Sequence, residues 1–420
     1  MTTILSSKVF CALPWTHLTA YTDGCCGLCC LATTPKLDDA SINRNSFGDI
    51  FNQQHWCDTR LKMLAGVAPA DCWRCFKEEQ SGYKSHRIVE NNIWEKRLGR
   101  DELQRLVNST TAAGKVEESF QSLDLRVGNT CNLQCVMCGP SDSGRWAKHA
   151  LDLSNVVTDR ELQAEMDFRA KCDPKNYSWH QQGRVWEEVY EALPRIKELV
   201  LAGGEPFLIE GHLDILKKIA NSGFAKNIIL RYHTNCTVFS SEIVEELVKF
   251  KKVELCLSID SYGEKNDWIR YPSKWDDIVK NMHLMDQTPE NVDVWINFSL
   301  MAMNILYVPE WITFFDSQNF KKISKDRKSR FNPSIVHNPD YLSILVLPAK
   351  LKQAITKKIQ SFEEELEWKT DKLLGVVQVM NSEDKTHLLP KTRQYIEALD
   401  RVRGTDFRSA FPEVARYLYG

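Results

Sequence analysis

Ser122-Leu123-Asp124-Leu125-Arg126-Val127-Gly128, followed by Asn129-Thr130-Cys131-Asn132-Leu133-Gln134-Cys135-Val136-Met137-Cys138, decides how the rest of the chain is read. The first half has the composition of a strand. The second half is a loop with cysteines in a C-x3-C-x2-C run. Three thiolates at that spacing can hold three corners of a [4Fe–4S] cube and leave the fourth iron open to a ligand. An open iron points to chemistry, not only to electron storage.

Downstream of this stretch, apolar β-branched runs alternate with helical patterns. Glu198–Gly203, Asn227–Thr234, Val253–Asp260 and Val292–Met303 read as further strands, with a sixth at either Ser334–His337 or Leu342–Leu347. Helical spacing falls between them, in Ile209–Ser222 before Gly223 and in Glu242–Phe250 behind Ser240 and Ser241. Repeated βα units predict an α/β fold, a partial (β/α)6 TIM-like barrel whose parallel sheet is buried on both faces. The expected organisation is a cysteine-rich β-hairpin module over residues 1–100 and the barrel core over 118–320. A final barrel element and a helical extension then fill 321–420. The link from Gly139 to Lys197 is too long for a plain βα connection, so an insertion at about 140–190, with a polar middle at Asp152 to Gln182, is expected to shape substrate access. Lys321–Arg330, with six basic residues and one acid, reads as a solvated loop or as a contact for an anionic group.

The 420 residues carry 54 basic and 56 acidic side chains, a balance that gives no electrostatic reason for nucleic acid or an anionic membrane as partner. No stretch approaches the roughly 20 apolar residues of a membrane span, and the N-terminus lacks a secretory layout, so a cytoplasmic protein is expected. Of fourteen cysteines, eight lie before residue 76 and three form the central triplet. Clustered cysteines in a reducing compartment point to metal rather than disulfides. Cys172, Cys236 and Cys256 are scattered, as small core residues are.

From Leu123 to about Asn304 the chain resembles the radical S-adenosylmethionine (radical SAM) enzymes. The resemblance implies a [4Fe–4S] cluster on Cys131, Cys135 and Cys138, with the amino and carboxylate groups of S-adenosylmethionine on the fourth iron. One electron would then split the cofactor's carbon–sulfur bond, and the resulting 5′-deoxyadenosyl radical would take hydrogen from substrate. Leu201-Ala202-Gly203-Gly204-Glu205-Pro206 looks like the family's Gly-Gly-Glu motif, implying Gly203, Gly204 and Glu205 at the methionine amino group. By the same resemblance Asn235, Ser258, Asp260 and Asn304 lie at the cofactor, and Arg270 meets its carboxylate. Met137 stands where many members place an aromatic residue against adenine. An external electron donor such as flavodoxin or ferredoxin is implied as partner. A structural zinc site is the competing reading of the triplet, although zinc sites usually pair C-x2-C knuckles.

The N-terminal cysteines form a second pattern. Asp23-Gly24 suits a tight turn between Trp15–Thr22 and Cys25–Leu31. Cys11, Cys29 and the later Cys72-Trp73-Arg74-Cys75 are spaced as in the auxiliary-cluster modules called SPASM and twitch domains, which implies a second [4Fe–4S] cluster on Cys11, Cys29, Cys72 and Cys75. Cys25, Cys26 or Cys30 could replace Cys29, and His17, His55 and His86 are alternative ligands. In better-known enzymes such a module follows the barrel, whereas here it precedes it. Phe76 to Arg87 and Leu399 to Gly404 share the resemblance.

The expected function is therefore a radical SAM enzyme that abstracts hydrogen from a peptide or protein, the auxiliary cluster accepting an electron or binding substrate. A radical SAM dehydrogenase of a sugar or other small metabolite is the second reading. From other classes come a zinc-stabilised binding protein and an inactive relative kept as a scaffold.

Overall fold

The computed structural model describes residues 4–33, 39–117, 120–323, 331–366 and 371–420. Eight strands form one sheet: β1 (His17–Ala20), β2 (Cys26–Gly27), β3 (Ser122–Val127), β4 (Glu198–Gly203), β5 (Ile229–Thr234), β6 (Lys252–Ser258), β7 (Val292–Leu300) and β8 (Phe331–Ile335). Their order is β2-β1-β3-β4-β5-β6-β7-β8. Every pairing is parallel except β1 with β2.

Strands β3 to β7 fall on the segments expected to be extended. The sixth expected strand is β8, which overlaps the first of its two alternatives. Leu342–Leu347 instead winds through two short 3-10 turns, Asp340–Leu342 and Ile344–Val346, where the Ser343 side chain accepts from Leu345 N at 3.4 Å. Residues 324–330 of the basic run lie outside the described residues.

The expected sheet is parallel and buried on both faces; the structure covers both, but only one of them is apolar. Register places Leu125, Leu201 and Tyr232 in one row, and Leu255 and Val294 side by side. These are buried to 1% exposure or less, in one core with Leu216, Leu247, Ile278 and Met282 of the crossover helices. At roughly 1.5–3 kcal/mol per buried aliphatic side chain, this face drives the fold. The alternate positions, Asp124, Arg126, Arg231, His233, Glu254 and Trp295, put polar groups on the other face. The sheet is parallel yet two-faced.

That polar face is covered by the N-terminal region. Helix His86–Leu98 sends Arg97 to Glu198 of β4 at 2.8 Å. Further along the sheet, Arg74 donates to Ile335 O at 2.8 Å and Tyr83 to Pro333 O at 2.8 Å. The hairpin is continuous with the main sheet, because β1 pairs with β3 from His17↔Ser122 to Ala20↔Leu125. Its paired arms are shorter than the expected ones, since Trp15 and Thr16 belong to the turn of helix Leu13–Thr16. Gly24, at φ +82°, makes the tight turn.

The insertion folds into helices Trp146–Ser154, Arg160–Ala170 and Gly183–Ala192. The C-terminal region is helical in Ala349–Glu365, Asp371–Ser382, Leu389–Arg403 and Pro412–Tyr419. Among the described residues no helix is long and apolar enough to cross a membrane.

Candidate functional site

The cysteine triplet leaves the carboxyl end of β3 in a loop whose backbone is taken up almost completely. Ser143 Oγ donates to Leu133 O at 2.6 Å, Arg403 Nη2 to Gln134 O at 2.5 Å and Trp146 Nε1 to Cys135 O at 3.2 Å. Tyr395 Oη donates to Val136 O at 2.8 Å, and Arg169 Nη1 to Cys138 O at 3.1 Å. Two loop amides, of Gln134 and Val136, donate to Tyr271 O at 2.6 Å and Ile269 O at 2.9 Å. The donors come from the insertion and from helix Leu389–Arg403, so these two regions fix the loop.

Donors also point at the sulfurs. Leu133 N lies 3.4 Å and Asn235 Nδ2 3.7 Å from Cys131 Sγ, and Arg270 Nη1 lies 3.8 Å from Cys135 Sγ. A hydrogen bond with Cys138 and the charge of Arg270 hold the Cys135 thiol below its ordinary value, against burial. Burial pushes Cys131 up to about 12, helped by Cys135. N–H groups and a guanidinium around the sulfurs suit thiolate ligands better than neutral thiols.

The Gly-Gly-Glu turn sits directly against this loop. Gly204 N donates to Gly128 O at 3.0 Å and Glu205 N to Thr130 O at 2.7 Å. A Cβ on Gly204 would come 2.2 Å from Thr130 O, and one on Gly203, at φ +134°, 2.8 Å from Val127 N. The two glycines therefore let two backbones meet, apart from any approach to a ligand. The Glu205 carboxylate is fully buried and accepts from Thr234 Oγ1 at 2.8 Å and Asn235 N at 2.6 Å. Burial pushes it up to about 7.

After β6 the chain holds a group of buried polar atoms without hydrogen bonds: Asp260 Oδ2, Ser261 Oγ, Asn266 Nδ2 and Arg270 Nε. Arg270 Nε is 2.7 Å from Asp260 Oδ2, an ion pair whose N–H is not aimed along the contact. Unsatisfied atoms this concentrated fit a zwitterionic ligand better than a closed core. Asn304 is spent on structure, its amide donating to Asp260 O at 2.9 Å and Ser299 O at 2.8 Å. Ser258 ends β6 opposite Asn297, and Met137 is half-buried against the core.

Cys11, Cys29, Cys72 and Cys75 line one cavity, together with Leu13, His86 and Arg87. Burial raises all four thiols, with Cys72 reinforcing the effect on Cys11 and Cys75 that on Cys72. The raised thiols are neutral and pack as small apolar groups, and they would have to lose their protons to ligate a metal. Among the described residues, no three His, Cys, Asp or Glu side chains converge tightly enough for a single metal ion. A cubane attaches each thiolate to a separate iron and so suits wider spacing.

Among the substitutes for Cys29, Cys25 bridges to Ser41, Cys26 is buried in the hairpin core, and Cys30 pairs with His86. His17 bonds Ser122 Oγ at 2.8 Å and Thr19 Oγ1 at 2.9 Å, and His55 Nε2 lies 3.0 Å from Asp71. Burial opposes the Cys30 thiolate, but His86 and Arg126 outweigh it and bring the thiol below its ordinary value. Burial likewise lowers His86, yet Cys30 carries it up to about 9. Sequence reasoning missed this pair, and it missed Asn266. It also missed Arg126, although the alternation in Leu123-Asp124-Leu125-Arg126-Val127 was a legible signal for it.

Among curated proteins none matches this sequence. Solved structures similar to parts of it include native anSMEcpe with bound AdoMet and Cp18Cys peptide, at 16% identity and TM-score 0.37 over 58% of each chain. Streptococcus suis SuiB is similar at 16% identity and TM-score 0.36, over 76% of this chain and 64% of that one. SuiB bound to precursor peptide SuiA gives 14% identity and TM-score 0.35, over 70% and 65%. The chain spans less than two thirds of the length of each of these relatives. The family model that matches is that of the Radical SAM superfamily, over residues 125–297. That segment runs from within β3 to within β7 and contains the clamped cysteine loop and the Gly-Gly-Glu turn, so it is this part of the chain that is similar to the Radical SAM superfamily.

Proposed function

We propose that the protein is a radical SAM enzyme that abstracts hydrogen from a peptide or protein substrate, with β3 to β8 as its partial barrel. The carrying observation is the triplet loop, with N–H donors and Arg270 aimed at its sulfurs and unsatisfied polar atoms grouped beside it. Cys131, Cys135 and Cys138 would hold a [4Fe–4S] cluster. When bound, it supplies the electron that splits the carbon–sulfur bond of S-adenosylmethionine, yielding the 5′-deoxyadenosyl radical.

This chain's residues do the positioning. Arg270 is available to the cofactor carboxylate. Glu205, a buried acceptor already holding Asn235 N and Thr234 Oγ1, presents negative charge where a cofactor ammonium would dock. Asp260, with Oδ1 held by Ser299 N at 2.6 Å and Oδ2 against Arg270 Nε at 2.7 Å, orients the guanidinium so that its remaining N–H groups can meet the cofactor carboxylate. Helix His86–Leu98 covers part of the polar face, reaching Glu198 through Arg97.

The auxiliary [4Fe–4S] cluster belongs on Cys11, Cys29, Cys72 and Cys75. His86 lines their cavity and is paired with Cys30, which in turn feels Arg126 of β3. A cluster on the quartet would act as an electron acceptor or a substrate ligand. A peptide is the first substrate class, following the resemblance of the cysteine module, and a sugar or other small metabolite is the second. The surroundings are cytoplasmic and the electron donor is a flavodoxin or ferredoxin.

Anaerobic reconstitution tests this reading. It requires about eight irons per chain with matching sulfide, a paramagnetic signal altered by S-adenosylmethionine, and 5′-deoxyadenosine after reduction. Colourless protein with stoichiometric zinc would overturn it.

A further inference from the structure

The polar face is organised in rows. In the lowest, ion pairs knit the strands together: Arg231 meets Glu198 at 3.1 Å and Glu254 at 2.8 Å, and Lys252 meets Glu254 and Asp293, each at 3.0 Å. One row nearer the cysteine loop, register puts Arg126 beside Ala202, and His233, Cys256 and Trp295 side by side. His233 feels the charges of Arg231, Asp124 and Arg126, so it shares the space that Arg126 faces.

This second row is not knitted together. Arg126 Nε and Trp295 Nε1 are buried without a hydrogen bond. Arg126 approaches Asp124 Oδ2 only to 3.8 Å, beyond hydrogen-bond reach, and 32% of its side chain remains exposed although it lies under the covering helices. Burial pushes His233 down to about 4, so it is a neutral imidazole with one N–H to give. Asp124, Cys30 and the Tyr21 ring, its centroid 6.0 Å from Cζ, surround the guanidinium, yet none gives Nε a hydrogen bond and Asp124 Oδ1 is itself buried without one. Buried donors are almost always satisfied. The orphaned Arg126 N–H, with a neutral imidazole that senses the same guanidinium, therefore marks a place that an acceptor from outside can complete, and a guanidinium fork matches a planar carboxylate.

We propose that Arg126, with His233, is a carboxylate subsite that holds the substrate on the polar face, below the cofactor position. This rests on the radical SAM reading of the same site and narrows its substrate class to molecules that present a carboxylate: an acidic side chain, a peptide C-terminus or a small organic acid. Arg126 is a binding residue here and takes no part in bond breaking.

The test uses reconstituted, reduced holoenzyme with S-adenosylmethionine and four deuterated pools: peptides with free carboxylates, the same peptides amidated only at the C-terminus, the same peptides with every carboxylate amidated, and small organic acids. Deuterium appearing in 5′-deoxyadenosine is read by mass spectrometry. Transfer is expected from at least one carboxylate pool, with the C-terminal and small-acid arms identifying the source, and at least tenfold less from the fully amidated pool. At matched iron content, Arg126→Gln lowers transfer more than tenfold and Arg126→Lys, which keeps the charge but loses the fork, lowers it less. Equal transfer from the fully amidated peptides overturns the proposal, as does undiminished transfer in Arg126→Gln. So does a wild type that cleaves S-adenosylmethionine but takes deuterium from none of the carboxylate pools; the radical reading would then still stand. A wild type that cannot cleave S-adenosylmethionine removes the ground under both.

Discussion

Around Cys131, Cys135 and Cys138, five backbone carbonyls of the loop are taken by side chains of the insertion and helix Leu389–Arg403. Around Cys11, Cys29, Cys72 and Cys75 the walls are apolar side chains, His86 and Arg87, and the thiols arrive from separate stretches of chain. A triplet contiguous in sequence does not shape itself, so distant parts of the fold clamp it. A quartet assembled from distant segments is shaped by the packing of the whole N-terminal region. Damage to the first should remain local and chemical, whereas damage to the second should spare the first.

The largest effect that tests this contrast comes from the cysteines themselves. Changing Cys131, Cys135 or Cys138 to Ala should abolish reductive cleavage of S-adenosylmethionine, measured as 5′-deoxyadenosine. The Cys72→Ala, Cys75→Ala double variant should lose about four irons and substrate turnover but retain that cleavage. A double variant that kept both clusters would dissolve the distinction between the two sites.

Next in size is Gly204→Ala. Its Cβ would collide with Thr130 O at 2.2 Å, a backbone atom that cannot swing aside. Overpacking of this kind costs about 1–3 kcal/mol or more, and here it falls on the cysteine loop. Chemical denaturation should show the loss, and reconstitution should yield protein with the auxiliary irons but depleted in the other set.

The smallest expected effect is Tyr395→Phe, which removes one carbonyl partner, at Val136 O, and should cost roughly 1 kcal/mol. Its signature is faster release of iron to a chelator from the triplet cluster, with the quartet's release unchanged. An equal change at both sites would mean that helix Leu389–Arg403 is not a selective clamp.

Much of this was legible in the sequence because it depends on local spacing. The strands β3 to β7 and the triplet could be read from composition and interval, whereas the quartet was implied by a resemblance, and the structure brings its four cysteines to one cavity. Short-range patterns revealed a polar side only in places, as in the alternation of Asp124 and Arg126. Runs such as Leu199-Val200-Leu201-Ala202 look uniformly apolar, and Asp124, Arg126, Arg231 and Glu254 join into one face only once register aligns the strands. The clamp was hidden for the same reason, since Tyr395 and Arg403 reach a loop some 260 residues earlier, with sequence separations of 259 and 269. Gly203 and Gly204 were noticed as a motif, but the tight backbone contact that demands them is tertiary. The parallel joining of β1 to β3 likewise spans about a hundred residues, from His17 to Ser122, and no turn signal announces it.

The ion pairs among Glu198, Arg231, Lys252, Glu254 and Asp293 tie β4, β5, β6 and β7 together through side chains as well as through backbone. Staples of this kind fix register, because sliding any one of these strands by a single residue would turn its charged groups into the apolar core.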